Sequence, residues 1–285
     1  MRTWGGYVRG IYSITAVRLF LPRLTQNAQR VNSQESLIPQ RPLSLGAISI
    51  TILCMQDIFD PEKRFNERAS VYDEDIHKII PGYTALHDTA RCLLENSVSE
   101  DASLLVAGVG TGNETVACAL RNPGWRVAGF DIAGNMVKAA AEKVRKHSLE
   151  DRVELIHGML DDVKQDSFDA ATALLVMHFL PYERKLEFLK GLNLRLNPGG
   201  VLITADFTAD RDSYEFESYL DAWEDYMLAA RERKDVDETI GHTRRDLDIL
   251  SHEGTVRHLK KAGFTNIRLF WKSLVFSAYI SEKKD

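Results

Sequence analysis

The sequence predicts an α/β fold, a doubly wound and mostly parallel sheet under an α-helical lid. Three observations predict it. Short β-like runs alternate with helical runs between Leu104 and Ala205. Three closely spaced glycines, Gly108, Gly110 and Gly112, follow the first run, and Asp131 follows the second. A terminal "GFTNIRLFWKSLVFSAYISEK" reads as two strands with a tight turn near Lys272, an antiparallel edge for such a sheet.

The lid opens the body of the chain. From Met55 to about residue 97 the pattern is helical, with Phe65, Ala69, Tyr72 and Ile76 repeating as one helix face does. "IPGY" at 80–83 breaks it, and Ala85 to Leu94 form a second helical stretch. The strands then read as Leu104–Ala107, Arg126–Phe130, Val153–His157, Ala170–Val176 and Val201–Ala205. Helical runs fall between them at about 114–121, 134–147 and 183–196. "LNPGG" at 196–200 reads as a turn before the fifth strand. A long helical insertion over 213–234 supplies the rest of the lid. The expected organisation is an extension over 1–54, lid helices over 55–100, and a core over 101–285 interrupted at about 207–250.

Residues 1–54 differ in style from the rest. They hold six Arg, one Glu and no Lys or Asp, a charge of +5. The whole chain carries −5, so residues 55–285 carry −10. An organelle-targeting peptide, a disordered extension and a start codon assigned too early all fit this composition. The abrupt arrival of acids and lysines at Met55 favours the last, and the segment is expected to be dispensable for folding. The acidic body argues against a general nucleic-acid surface, which needs a basic footprint. The sequence has no apolar run of about 18 residues, the length that would suggest a membrane span. Cys54, Cys92 and Cys118 are widely spaced, without CxxC or Cys/His clusters. That disfavours a disulfide framework and a structural metal, and fits a reducing, cytoplasmic location, with organelle targeting by residues 1–54 left open.

The glycines carry the functional argument. Glycine weakens regular elements, so three of them after a strand imply a backbone that a ligand approaches closely. Asp131 stands at the end of the second strand, where a carboxylate can accept from both hydroxyls of a ribose. Together they point to a nucleoside-containing ligand. The spacing G-V-G-T-G puts Asn113 where a dinucleotide fingerprint wants its third glycine, which disfavours a pyrophosphate there.

In combination, the glycine turn, Asp131, "FDAATALLVMHFL" and "LNPGGVLITADF" resemble class I S-adenosylmethionine-dependent methyltransferases. The resemblance covers roughly residues 60–285. It implies a Rossmann-like sheet of seven strands, the seventh antiparallel. It implies S-adenosylmethionine as cofactor, with Gly108, Val109, Gly110 and Gly112 along its methionine–ribose portion. Asp131 would hold the ribose, with Ile132 and Met136 against adenine. Met159 and Leu160 fall at the adenine edge, and Leu174 at the mouth of the fourth strand. Two positions depart from the family. Val106 stands where an acid usually helps place the methionine amino group. Met159 stands where an aspartate often accepts the adenine amine.

The flanks resemble a narrower family, carboxy-S-adenosylmethionine synthase, an enzyme of tRNA wobble-uridine modification. "F..RA..YD..I...IPGY" matches its entry helices, and the insertion and C-terminal hairpin match too. This implies that Tyr83 touches the cofactor. It also implies that Arg231, in "ARERK", pairs with the cofactor's extra carboxylate, which leaves room for a homodimer. The G-V-G-T-G loop departs from that family's pattern, so ordinary methyl transfer to a small molecule is the expected reaction. On that reading Arg231 and Arg233 are expected on the surface. A non-catalytic protein that binds the cofactor or its demethylated product is the alternative from another class. His178, just past the fourth strand, is the expected general base. Tyr72 and Arg244 are expected on the acceptor side.

Overall fold

The computed structural model describes residues 60–284, so the 1–54 extension and the start of the lid at Met55 lie outside the described residues. The lid opens with α1 (Pro61–Arg68), α2 (Tyr72–Ile79) and α3 (Tyr83–Glu95). Asp60 caps α1 by accepting from Lys63 N at 3.2 Å, and Pro61 occupies the first position, where its missing N–H costs little. One continuous helix through Phe65, Ala69, Tyr72 and Ile76 is therefore not what forms. No Gly or Pro lies behind the break at 69–71. Instead Asn66 docks on the core: its Oδ1 accepts from Asn135 N at 2.8 Å and its carbonyl from Asn135 Nδ2 at 3.0 Å. Tertiary anchoring outweighs local propensity here. The turn before α3 needs glycine twice over. Gly82 has φ +78°, and a Cβ there would lie 3.3 Å from the Trp271 ring. This turn directs Tyr83 inward.

The core continues as β1 (Ser103–Ala107), α4 (Asn113–Arg121), β2 (Arg126–Asp131), α5 (Gly134–Lys146), β3 (Val153–His157), β4 (Phe168–Leu174), α6 (Tyr182–Arg195) and β5 (Leu196–Phe207). The insertion is α7 (Tyr214–Leu228) and α8 (Arg233–Arg245), followed by α9 (His252–Lys261), β6 (Phe264–Ser273) and β7 (Phe276–Lys283). One seven-stranded sheet runs in the order β3-β2-β1-β4-β5-β7-β6. Only β7 opposes the common direction. The chain leaves β1 toward β2 and β3, then returns to β4 on the other side of β1. The carboxyl ends of β1 and β4 therefore open the crevice where ligands bind in such sheets.

Period-two alternation splits β1 between two apolar layers. Leu104 and Val106 pack with α3, α4 and α5 through Leu86, Val116 and Ala140. Leu105 and Ala107 pack with α6 and α9 through Leu189 and Leu259. Both faces are covered, as a parallel sheet requires. A third cluster joins the lid halves: Ile76 and Tyr83 meet Leu220, Trp223 and Val236 over Phe207 and Phe276. Trp223 Nε1 donates to Ile79 O at 2.6 Å, and Tyr226 OH to His77 O at 2.6 Å.

Three boundaries differ from the sequence reading. The expected helix over 213–234 breaks after Leu228 and restarts at Arg233. β4 ends at Leu174, since Leu175 takes φ +62°. "LNPGG" belongs to β5: Leu196 pairs with Phe168 before the register shifts. The hairpin turn falls after Ser273, close to its expected place.

Candidate functional site

Three successive loop glycines adopt left-handed backbone: Gly108 at φ +75°, Gly110 at +53° and Gly112 at +85°. They serve different ends. A Cβ on Gly108 would come 2.5 Å from Val176 Cγ2, and one on Gly112 2.9 Å from Ala140 Cβ. Gly112 thus packs α4 against α5 and does not line the cavity described below. Nothing stands within 4 Å of a Cβ on Gly110. That stretch of main chain faces open space.

Asp131 closes the loop from below. Its carboxylate accepts from Gly110 N at 2.9 Å and from Ala133 N at 2.9 Å. Burial raises its pKa, and these two backbone donors offset the rise in part. Asp131 thus sets the loop conformation, and it is not among the residues that line the cavity described below.

The lid is latched to this loop. Asp73 of α2 accepts from Thr111 Oγ1 at 2.5 Å, Asn113 Nδ2 at 2.9 Å and Lys143 Nζ at 2.5 Å. Burial pushes the Asp73 carboxyl up, but hydrogen bonds from Lys143, Thr111 and Asn113 outweigh it and hold the pKa below its usual value. The sequence reading did not single out Asp73.

Under the latch lies a partly open cavity, about 350 Å³ when the solvent-open space at its mouth is included. Tyr72, Tyr83 and His87 line it from the lid, Gly108 to Thr111 from the loop, Asn113 and Glu114 from α4, Leu174 from the end of β4 and Leu175 from the turn after it. A groove of about 830 Å³ shares Tyr83, His87, Asn113 and Glu114 with it and runs outward past Asp88 and Arg91. Tyr72, Tyr83, Gly108, Val109, Gly110 and Leu174 thus stand together as expected. Leu175 holds a left-handed conformation that costs a non-glycine residue about 1–3 kcal/mol, and its N–H is tied to Ala205 O at 2.6 Å.

Two half-buried residues in the cavity, whose polar atoms are hidden from solvent, lacked a place in the sequence reading. Both ring nitrogens of His87 are buried without a hydrogen-bond partner. Burial drives the His87 pKa down to about 4, so the ring is neutral near pH 7. Glu114 Oε1 is likewise buried and unpartnered. Burial pushes the Glu114 carboxyl up to about 7, and the Thr172 hydroxyl offsets this only in part. Helical spacing could have revealed Glu114, which shares a face with the buried Cys118 four residues on.

Other expected residues sit elsewhere. His178 does not line the cavity. It is 7 % exposed, with ring centroids of Phe179 and Phe207 at 3.9 and 5.1 Å. Its Nδ1 lies 2.5 Å from Asp206 Oδ1, which also accepts from Phe207 N at 2.8 Å. His178 therefore ties the turn after β4 to the end of β5 and lies outside the cavity lining, away from the place expected of a general base. Asp206, missed earlier, is an acid within the apolar strand "LITADF".

The adenine-side expectations divide. Ile132 is 38 % exposed beside Asp131 and Met159 is half-buried, so both have an open face. Met159 N–H is taken by Asp162 Oδ2 at 2.8 Å. Met136 is 1 % exposed, so it has no surface for adenine. Leu160 is buried in the α6 layer, where it would meet a Cβ on Gly191 at 2.7 Å, and anchors its turn there. Arg244 pairs with Glu217 at 2.7 Å on the outer face of the insertion, which removes it from the acceptor side. Arg233 is on the surface as expected, but Arg231 is half-buried. Its Nη1 approaches Thr239 Oγ1 at 3.3 Å and Met227 Sδ at 3.9 Å, and it lines neither cavity nor groove. Among the described residues, no helix is long and apolar enough to cross a membrane.

Residues 105–202, from β1 into β5, match the family model of a methyltransferase domain. A carboxy-S-adenosyl-L-methionine synthase from Actinobacillus succinogenes is 23% identical over 221 residues, 75% of this chain and 90% of the relative. Among solved structures, an O-methyltransferase family 2 protein from Planctomyces limnophilus, complexed with apigenin, superposes with a TM-score of 0.54. It is 20% identical and the match covers 85% of this chain and 67% of that one. Human N-acetylserotonin methyltransferase, solved with S-adenosylmethionine, gives a TM-score of 0.55 at 15% identity, covering 81% of this chain and 60% of that one.

Proposed function

We propose, from the premise that this chain belongs to the class I S-adenosylmethionine-dependent methyltransferase family, that it binds S-adenosylmethionine under the lid and passes the methyl group to a small-molecule acceptor. The observation that carries the reading is the cavity, whose lining gathers Tyr72, Tyr83, Gly108, Val109, Gly110 and Leu174.

The residues present suit such a cofactor. Gly110 leaves the main chain bare, Asp131 offers a carboxylate at the strand end, and an orphaned acid faces the cavity. When bound, S-adenosylmethionine supplies a methyl group on a sulfonium that departs as a neutral thioether. The chain does the rest by positioning and by excluding water, the main demands of an in-line displacement. Asp131 holds the loop and would orient the sugar hydroxyls of the bound cofactor. Tyr72 and Tyr83 close the lid side, and burial holds the Tyr72 hydroxyl well above its usual pKa, so it stays protonated. The Asp73 latch keeps the lid against the loop.

Asp131→Ala tests this reading. It removes an acceptor for two backbone donors and for the ribose, and charged hydrogen bonds of this kind contribute about 1.5–3 kcal/mol each. Affinity for S-adenosylmethionine should fall about 10- to 100-fold by calorimetry. Unchanged affinity sinks the assignment. Turnover of labelled cofactor with small aromatic and aliphatic acceptors separates an enzyme from a non-catalytic binder.

A second reading, transfer involving a carboxylated cofactor, draws on the relative's alignment along 90% of its length. Against it stands Arg231, turned toward Thr239 and Met227. Arg231→Ala should leave affinity for the ordinary cofactor within about twofold, as for a side chain outside the site. A wild-type preference for the carboxylated form that disappears in Arg231→Ala would promote the second reading.

A further inference from the structure

Glu114 is out of place as a purely structural residue. It sits in the first turn of α4, faces the cavity, and leaves Oε1 buried without a donor. A buried carboxylate without a partner is costly, and an acid that could be replaced by an apolar residue is a liability unless something binds it. No Lys or Arg lines the cavity with it, and Arg91, in the adjoining groove, is engaged by Glu95 at 3.1 Å and Asp88 at 3.2 Å. A ligand is left as the source of a cation or donor for Glu114.

Its position narrows the choice. Glu114 stands near Thr172 of β4, whose hydroxyl is likewise buried without a hydrogen-bond partner. Thr172 is the register partner of Val106 on β1, so the two stand side by side on one face of the sheet. Val106 is buried in the apolar layer shared with α3 and α4. Carboxylate character absent from β1 at Val106 is thus delivered to the same patch from α4. His87, from the lid, lines the same cavity as a neutral ring. It offers hydrogen-bonding capacity without a positive charge that would repel a cation. The surroundings therefore suit an ammonium group that donates hydrogen bonds.

We infer that Glu114, backed by Thr172 and facing His87, is the receptor for the α-ammonium of the cofactor's amino-acid end. This rests on the cofactor reading above and deepens it. Glu114 is a binding residue that fixes the methionine tail, and through the tail the direction of the sulfur. A sulfonium could also be drawn to a carboxylate, but it donates no hydrogen bond and would leave Oε1 unsatisfied.

The probes are S-adenosylhomocysteine, which has the ammonium but no sulfonium, S-adenosylmethionine, which has both, and methylthioadenosine, which has neither. Wild type and Glu114→Gln, nearly isosteric, are titrated with all three, and melting curves verify that the variant is folded. Wild type is expected to bind S-adenosylhomocysteine at least tenfold more tightly than methylthioadenosine. In Glu114→Gln, S-adenosylhomocysteine and S-adenosylmethionine should each lose about tenfold or more, with methylthioadenosine unchanged, as loss of one charge-assisted contact predicts. Glu114→Asp, charged but shorter, should fall between. Three results overturn the inference: no loss for either amino-acid-bearing ligand, equal loss for all three, or loss confined to S-adenosylmethionine, which would make the sulfonium the partner. If wild type binds none of them, the cofactor reading itself fails and the receptor role falls with it.

Discussion

His178→Ala is expected to destabilise the fold by about 3–5 kcal/mol, the range seen when one partner of a buried pair is removed. The reason lies in what remains. Asp206 is 6 % exposed, and its Oδ1 would keep backbone donors but lose the imidazole at 2.5 Å. Its Oδ2 already has no hydrogen-bond partner. The void between Phe179 and Phe207 adds a packing loss. His178→Asn keeps a donor near the position of Nδ1–H and should recover part of the stability. The double variant with Asp206→Ala should cost less than the two single losses added, because the orphaned charge is gone. Urea unfolding of the set measures this directly. A folded, stable His178→Asn protein that has lost all turnover would instead restore His178 as the general base.

Glu114→Gln is expected to make the ligand-free protein more stable at pH 8, and to change little at pH 4. The folded pKa of Glu114 is about 7, above its ordinary 4.5. Below about pH 4.5 the acid is protonated in both folded and unfolded chains, and no penalty exists. As pH rises from there to 7, the unfolded chain releases the proton and the folded chain retains it, so stability falls. Above 7 the penalty is complete, up to about 3 kcal/mol for a shift of this size. Glutamine does not titrate, so the variant's advantage should grow across that window and then level. Saturating S-adenosylhomocysteine should narrow the gap, since the ammonium satisfies the wild-type acid. A constant difference at every pH would contradict burial as the cause. Stability given up at a ligand-facing acid is the usual sign of a functional position.

The sheet was legible because alternation of short apolar runs with helices leaves few topologies. The glycine turn and Asp131 were legible because each needs a special residue at a fixed place. The breaks in the lid were not. "ARERK" contains good helix formers throughout, yet the chain turns between Leu228 and Arg233. Residues 69–71 break for a reason sixty-odd residues away, the docking of Asn66 on Asn135. His178 misled because strand-end position says nothing about which way a side chain turns: the Asp206 carboxylate draws it inward. Met136 and Leu160 misled similarly, as apolar side chains near a ligand face can equally fill the core beneath it. His87 escaped notice because nothing local marks it, and Glu114 is marked only by its helical spacing to the buried Cys118. They become conspicuous only when the lid closes over α4 and leaves both without partners.

The most direct test of the account is titration of the full chain with S-adenosylhomocysteine, followed by calorimetry and by thermal shift. The account predicts a single-site isotherm, a raised melting temperature, and in Asp131→Ala an affinity weaker by about 10- to 100-fold with a smaller thermal shift. Absence of heat and of any thermal shift at millimolar ligand would contradict it.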